Sequence, residues 1–96
     1  MKIIYDKLFE ILLVQILDYI AQDKKSASVK FANKLEKVIN SLVDNPYKYR
    51  KSRYFDDENI RDMIFEGYTI VYKVEQDSII ILRIFNKNQP PQNENN

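Results

Sequence analysis

Ile60–Phe85, IRDMIFEGYTIVYKVEQDSIIILRIF, is the last continuous apolar block of the chain, and its reading decides the fold. It breaks at Glu66-Gly67 and again at Gln76-Asp77, leaving three short runs rich in β-branched and aromatic residues. Runs of that length and makeup between turn residues read as strands. In the middle run Tyr68, Ile70, Tyr72 and Val74 share one face, with Thr69, Val71, Lys73 and Glu75 on the other. In the last run Ile80, Leu82 and Ile84 alternate with Ile79, Ile81, Arg83 and Phe85, apolar on both sides as in an interior strand. Leu82 is accordingly expected in the sheet core. Arg61, Lys73 and Arg83, with Lys87 just beyond, make a candidate functional patch on the open sheet face. The plainer reading is outward charges, some paired with Asp62 or Glu75.

Upstream, the hydrophobic period changes from two to 3.6. Lys2–Tyr5 is a short β-type run that adds an edge strand, and Asp6 stands where a helix N-cap belongs. Leu8–Gln22 reads as a helix with Phe9, Leu12, Leu13, Ile16, Tyr19 and Ile20 toward the core. Ile11, Val14 and Leu17 widen its apolar arc, as in a helix sandwiched between a sheet and a second helix, or one with a protein-contact flank. After Asp23-Lys24-Lys25, Ser26 is the expected N-cap of a second helix over Ala27–Val43, with Phe31, Leu35, Val38, Ile39 and Leu42 as its narrower stripe. So short a connection predicts an antiparallel helix hairpin. Pro46 ends the second helix, because it disfavours helix in the residue before it.

Tyr47–Tyr54, YKYRKSRY, interleaves aromatic and basic residues, and Asp56-Asp57-Glu58 follows at once. Lys48, Arg50, Lys51 and Arg53 form a candidate basic loop of the kind that binds nucleic acid by phosphate contact and stacking. The alternative is a solvated loop whose charges cancel against the neighbouring acids. Those carboxylates lack the glycine-turned loop of a calcium site, so no metal is assigned to them. The closing KNQPPQNENN is polar and proline-interrupted; residues 1–87 are read as the domain and 88–96 as a disordered tail.

At 96 residues, with 45% hydrophobic and 30% charged, the chain makes one small soluble domain. No apolar run is long enough to span a bilayer and no signal-peptide pattern is present, so a cytoplasmic location is expected. Without cysteine or histidine, thiolate zinc sites, nucleophilic triads and imidazole acid–base chemistry are excluded. No cofactor is implied. A net charge of +1 supplies no global field toward nucleic acid.

Together these readings give an α+β architecture of strand, antiparallel helix hairpin and three-stranded antiparallel sheet, with the helices on one sheet face. The order resembles the ParE/RelE superfamily of bacterial toxins and its βααβββ fold. Tyr19-Ile20-Ala21-Gln22-Asp23 resembles the end of the family's first helix. Ala27, Phe31, Leu35, Ile39, Leu42 and Pro46 follow the spacing of its second. Arg61 with Tyr68, Ile70 and Tyr72 resembles its R…Y.I.Y strands, and Ile81-Leu82-Arg83-Ile84 its last strand.

The resemblance implies one of two activities. RelE-like members cut mRNA on the ribosome with a set of Lys and Arg residues, often with a C-terminal Tyr; ParE-like members poison DNA gyrase. Where the ribonucleases carry an arginine after Gly-Tyr this chain has Thr69, and no tyrosine follows Phe85. Cleavage needs groups to orient the 2′-hydroxyl, protonate the leaving oxygen and stabilise the phosphorane, and no acid–base pair is evident. The expectation is therefore a non-enzymatic toxin that inhibits DNA gyrase. The alternatives are a ribosome-dependent mRNA endonuclease and an inactive, interaction-only relative. The ParE-like pattern is not complete, since the usual His near the end of the last strand is replaced by Asn86-Lys87-Asn88. The resemblance also implies a cognate antitoxin whose flexible C-terminal segment wraps the toxin, with a homodimer or a hetero-oligomer as possible assemblies. Ile11, Val14, Ile79, Ile81 and Phe85 are the candidate antitoxin contacts.

Overall fold

The computed structural model describes residues 1–90. β1 (Lys2–Tyr5) leads into α1 (Lys7–Asp23) and α2 (Lys25–Ser41), followed by a 3₁₀ turn at Leu42–Asp44. β2 (Arg50–Lys51), β3 (Ile60–Phe65), β4 (Tyr68–Val74) and β5 (Ser78–Asn86) complete one five-stranded sheet in the order β1-β5-β4-β3-β2. The expected α+β order is present, and β2 is an addition to it. β1 runs parallel to β5 and every other neighbouring pair is antiparallel. Among the described residues no helix is long and apolar enough to cross a membrane. Of the segment 88–96, Asn88 and Gln89 belong to a turn held by bonds from their amides to Asn86; 91–96 lie outside the described residues.

The helix ends follow from local chemistry. The Asp6 carboxylate accepts from the Leu8 amide at 3.1 Å and satisfies one of the orphan donors at the start of α1. Ser26 does not cap α2. Only Lys24 separates the two helices, so its backbone ends one and starts the other, and Ser26 falls inside α2. Ser28 instead ties the hairpin together, its hydroxyl donating to the Leu17 carbonyl at 2.8 Å. Glu66 and Gly67 both have positive φ, 47° and 86°, as a two-residue turn between strands requires. That turn sets the β3–β4 register from Phe65 opposite Tyr68 to Ile60 opposite Lys73.

The core lies between the hairpin and one sheet face. Phe9, Phe31, Leu35 and Ile39 from the helices meet Met63, Ile70, Tyr72, Ile79, Ile81 and Ile84 from the strands. Burying each such side chain contributes about 1.5–3 kcal/mol. Phe31 packs against Phe65 and Tyr68 with ring centroids 5.4 Å apart in both pairs. Tyr19 does not join this core: it is 70% exposed and stands at the lip of a groove between α1 and the end of β5.

The facing of β5 departs from simple alternation. Val71 lies opposite Arg83 and Tyr72 opposite Ile81, so Leu82 is an extra residue and the strand bulges there. The bulge resets the parity. Ile79, Ile81 and Ile84 all face the helices, while Ile80, Leu82 and Arg83 are only partly buried. The expected grouping of Ile80, Leu82 and Ile84 on one side of the strand is corrected accordingly, as is the core placement of Leu82.

Candidate functional site

The face of the sheet away from the helices is not bare. It carries Asp62, Thr69, Val71, Lys73 and Arg83, and the segment after β2 folds over part of it. Tyr54 in that segment meets the Phe85 ring edge-on at 5.1 Å. Asp62 is the anchor. Its side chain is fully buried, Oδ2 accepts from the Arg53 amide at 2.9 Å, and Arg50 approaches it at 3.6 Å. Its Oδ1 makes no hydrogen bond. A buried carboxylate is costly to leave unpaired, so this one holds Arg50 and the loop backbone against β3.

The candidate basic loop is largely satisfied from within. Lys51 reaches Asp56 and Glu58 at 3.6 and 3.5 Å, Arg50 goes to Asp62, and Lys48 lies over the Tyr49 ring. The acids following YKYRKSRY thus turn toward basic partners; Asp57 lies 3.9 Å from Lys73. Among the described residues no group of three or more carboxylates is arranged to hold a metal ion.

The four residues of the basic patch are not brought together. Arg61 stands opposite Tyr72, and residues directly opposite share a sheet face, so Arg61 lies on the helix side. Lys73 and Arg83 lie on the other face and are drawn apart. Lys73 pairs with Asp57 and Glu75, whereas Arg83 reaches Asp6 at 3.6 Å and donates to the Leu82 carbonyl. Lys87 is exposed in the turn after β5, its amide bonded to the Gly67 carbonyl.

Arg61 and Tyr72 form a latch on the Pro46–Tyr49 segment. The guanidinium donates to the carbonyls of Glu58 and Tyr49, both at 3.1 Å, and lies 4.8 Å from the centre of the Tyr47 ring. The Tyr72 hydroxyl donates to the Pro46 carbonyl at 2.7 Å. Burial pushes its pKa up to about 12, partly opposed by the Arg61 charge. Because the folded-state pKa exceeds the unfolded one, this tyrosine's contribution to stability is complete below pH 10 and is lost as pH rises toward 12. Tyr72→Phe is expected to cost about 1–1.5 kcal/mol at neutral pH. In urea unfolding at neutral and alkaline pH, the variant should lose stability less steeply than wild type between pH 10 and 12. Parallel curves would detach the latch from this hydroxyl.

The candidate antitoxin contacts also divide. Ile11 and Val14 are exposed on α1, at 47% and 56%, so the sandwiched-helix account does not hold for them, whereas Leu17 is half-buried. Ile79 and Ile81 are fully buried between β5 and the helices and offer no surface to a partner. Phe85 is half-buried beneath Tyr54. Glu10 and Glu36 are missing from the residues singled out in the sequence, and Asp62 figures there only as an ion-pair partner on the sheet face, not as the buried anchor of the loop. The two glutamates line a groove between α1 and α2 floored by Phe9, Leu13 and Leu35.

Comparison with known proteins decides the family. Residues 3–91 match the family described as the ParE toxin of the type II toxin–antitoxin system parDE. The chain belongs to the ParE toxin family. A structure of the chromosomal ParDE toxin–antitoxin system from P. aeruginosa aligns with a TM-score of 0.73 at 21% identity, covering 90% of this chain and 95% of that one. YafQ from E. coli strain BL21(DE3) aligns with a TM-score of 0.57 at 17% identity, covering 90% and 92%. At these identities both likenesses speak to the fold. Comparison with curated proteins gave no match. Family membership brings a cognate antitoxin as the partner of this fold, and the two exposed residues of α1 are the accessible members of the predicted contact set.

Proposed function

We propose that this ParE-family chain arrests bacterial growth by inhibiting DNA gyrase, acts in the cytoplasm, and is neutralised by an antitoxin encoded beside it. The observation that carries the choice of target is Thr69. It occupies the position of the arginine that follows Gly-Tyr in RelE-like ribonucleases, and it is itself buried on the loop-covered sheet face. The cations that β4 and β5 place on that face, Lys73 and Arg83, are engaged by carboxylates on opposite sides of it. A phosphorane needs several convergent donors, and dispersed, paired cations supply charge without convergence. Binding to a protein target asks for none of that geometry.

The test is DNA supercoiling by purified gyrase with increasing amounts of the purified chain. Inhibition at micromolar protein, relieved by the antitoxin, is the expected result. Unaffected supercoiling together with codon-phased cuts in primer extension after induction would assign the chain to the ribonucleases. Normal growth on expression without antitoxin would make it an interaction-only relative.

A further inference from the structure

α1 and α2 do not close against each other along their whole length. Between the first half of α1 and the second half of α2 lies a groove of about 380 Å³, with Tyr5, Phe9, Leu13 and Val14 facing Leu35 and Ile39. That volume falls in the range of pre-formed binding clefts, about 300–1,000 Å³. An apolar ridge continues outward from it along α1. Leu8, Ile11 and Val14, spaced three apart, are exposed at 40%, 47% and 56%. Such a ridge beside a groove is what an apolar helix face or extended segment covers.

The charge around the groove specifies the occupant. Its two charged lining residues are both acids, Glu10 on α1 and Glu36 on α2. Neither has an ion-pair partner among the described residues. The Tyr5 hydroxyl, stacked on Phe9 at the β1 end, has its pKa raised by burial and further by the negative charge of Glu36. Lys7 borders only the shallower depression beyond Ile11 and Val14. We propose that this groove receives an antitoxin segment in which an apolar anchor is flanked by Lys or Arg, the anchor seated on Phe9 and Leu35 and the bases meeting Glu10 and Glu36. The proposal rests on the antitoxin reading above and gives it a site and a chemistry. An acidic segment would be repelled by both rims, so the recognition is selective as well as attractive.

The test is calorimetric titration of the purified full chain with the purified product of the adjacent antitoxin reading frame, at low and high salt. Wild type should bind with an affinity that falls as salt rises. The double charge reversal Glu10→Lys/Glu36→Lys should weaken binding about tenfold and flatten the salt dependence, since exposed pairs are individually modest and screened. Lys7→Glu should bind at least as well as wild type. Reversing the antitoxin's own flanking bases to Glu should restore affinity for the reversed toxin. Where the double reversal melts early, Glu10→Gln/Glu36→Gln decides, because it removes the charge without adding repulsion. Undiminished binding with an unchanged salt slope in the charge-removed chain would overturn the groove while leaving the antitoxin reading in place. No binding by wild type would overturn both. A self-associated chain dissociated by the same substitutions would give the groove to a second copy and overturn the antitoxin as its occupant.

Discussion

Ile81→Asp should leave no folded protein. Ile81 has no exposed surface, and its backbone lies between Tyr5 of β1 and Tyr72 of β4. Its side chain sits in the same cluster as Phe9 and Ile84. Truncating such a side chain costs about 2–5 kcal/mol, and placing a carboxylate there without a partner adds several more. The sum falls within the range of a typical domain stability, about 5–15 kcal/mol, which a chain this small sits low in. Leu82→Asp, one residue on, should stay folded, because Leu82 is the partly exposed extra residue of the bulge. Circular dichroism and one-dimensional NMR of the two variants make the comparison. A folded Ile81→Asp, or an unfolded Leu82→Asp, would mean that the strand runs in the other parity.

That pair of neighbours shows where the sequence was readable and where it was not. The helices, the hairpin and the three strands of Ile60–Phe85 were legible because hydrophobic period and turn residues agree in those segments. The facing of β5 was not. Ile79, Ile80, Ile81 and Leu82 are all apolar, so alternation carries no information about which side is buried, and nothing in the residues announces a bulge. The antitoxin set inherited the same ambiguity when it included Ile79 and Ile81. The side of Arg61 was recoverable. A two-residue turn at Glu66-Gly67 pairs Phe65 with Tyr68 and, counting back, Arg61 with Tyr72, which places Arg61 opposite in facing to Lys73. Asp62 was hidden for a different reason: a charged residue in a strand reads as outward, and its burial depends on a loop arriving from Arg50–Tyr54. Glu10 and Glu36 look like ordinary wet-face residues until two helices are seen to leave a gap between them.

Arg61→Ala should destabilise the fold by about 3 kcal/mol, from two charge-assisted hydrogen bonds and one ring contact. For a domain of this size the melting temperature should fall by roughly 15 °C. Arg61→Lys should recover only a minor part, because an ammonium cannot donate to the Glu58 and Tyr49 carbonyls through one planar fork while lying over Tyr47. The functional consequence follows from which side of the sheet the residue occupies. In the patch reading, Arg61 touches the target, and its removal weakens growth arrest without changing stability. In the latch geometry it touches the chain's own backbone, and growth arrest weakens only as far as folded protein is lost. Gyrase inhibition measured per folded molecule, well below the melting temperature, separates the two. Equal inhibition by wild type and Arg61→Ala with a lowered melting temperature is the expected outcome. A lost inhibition at an unchanged melting temperature would return Arg61 to the target-binding surface, and would require the Pro46–Tyr49 segment to be held by Tyr72 alone.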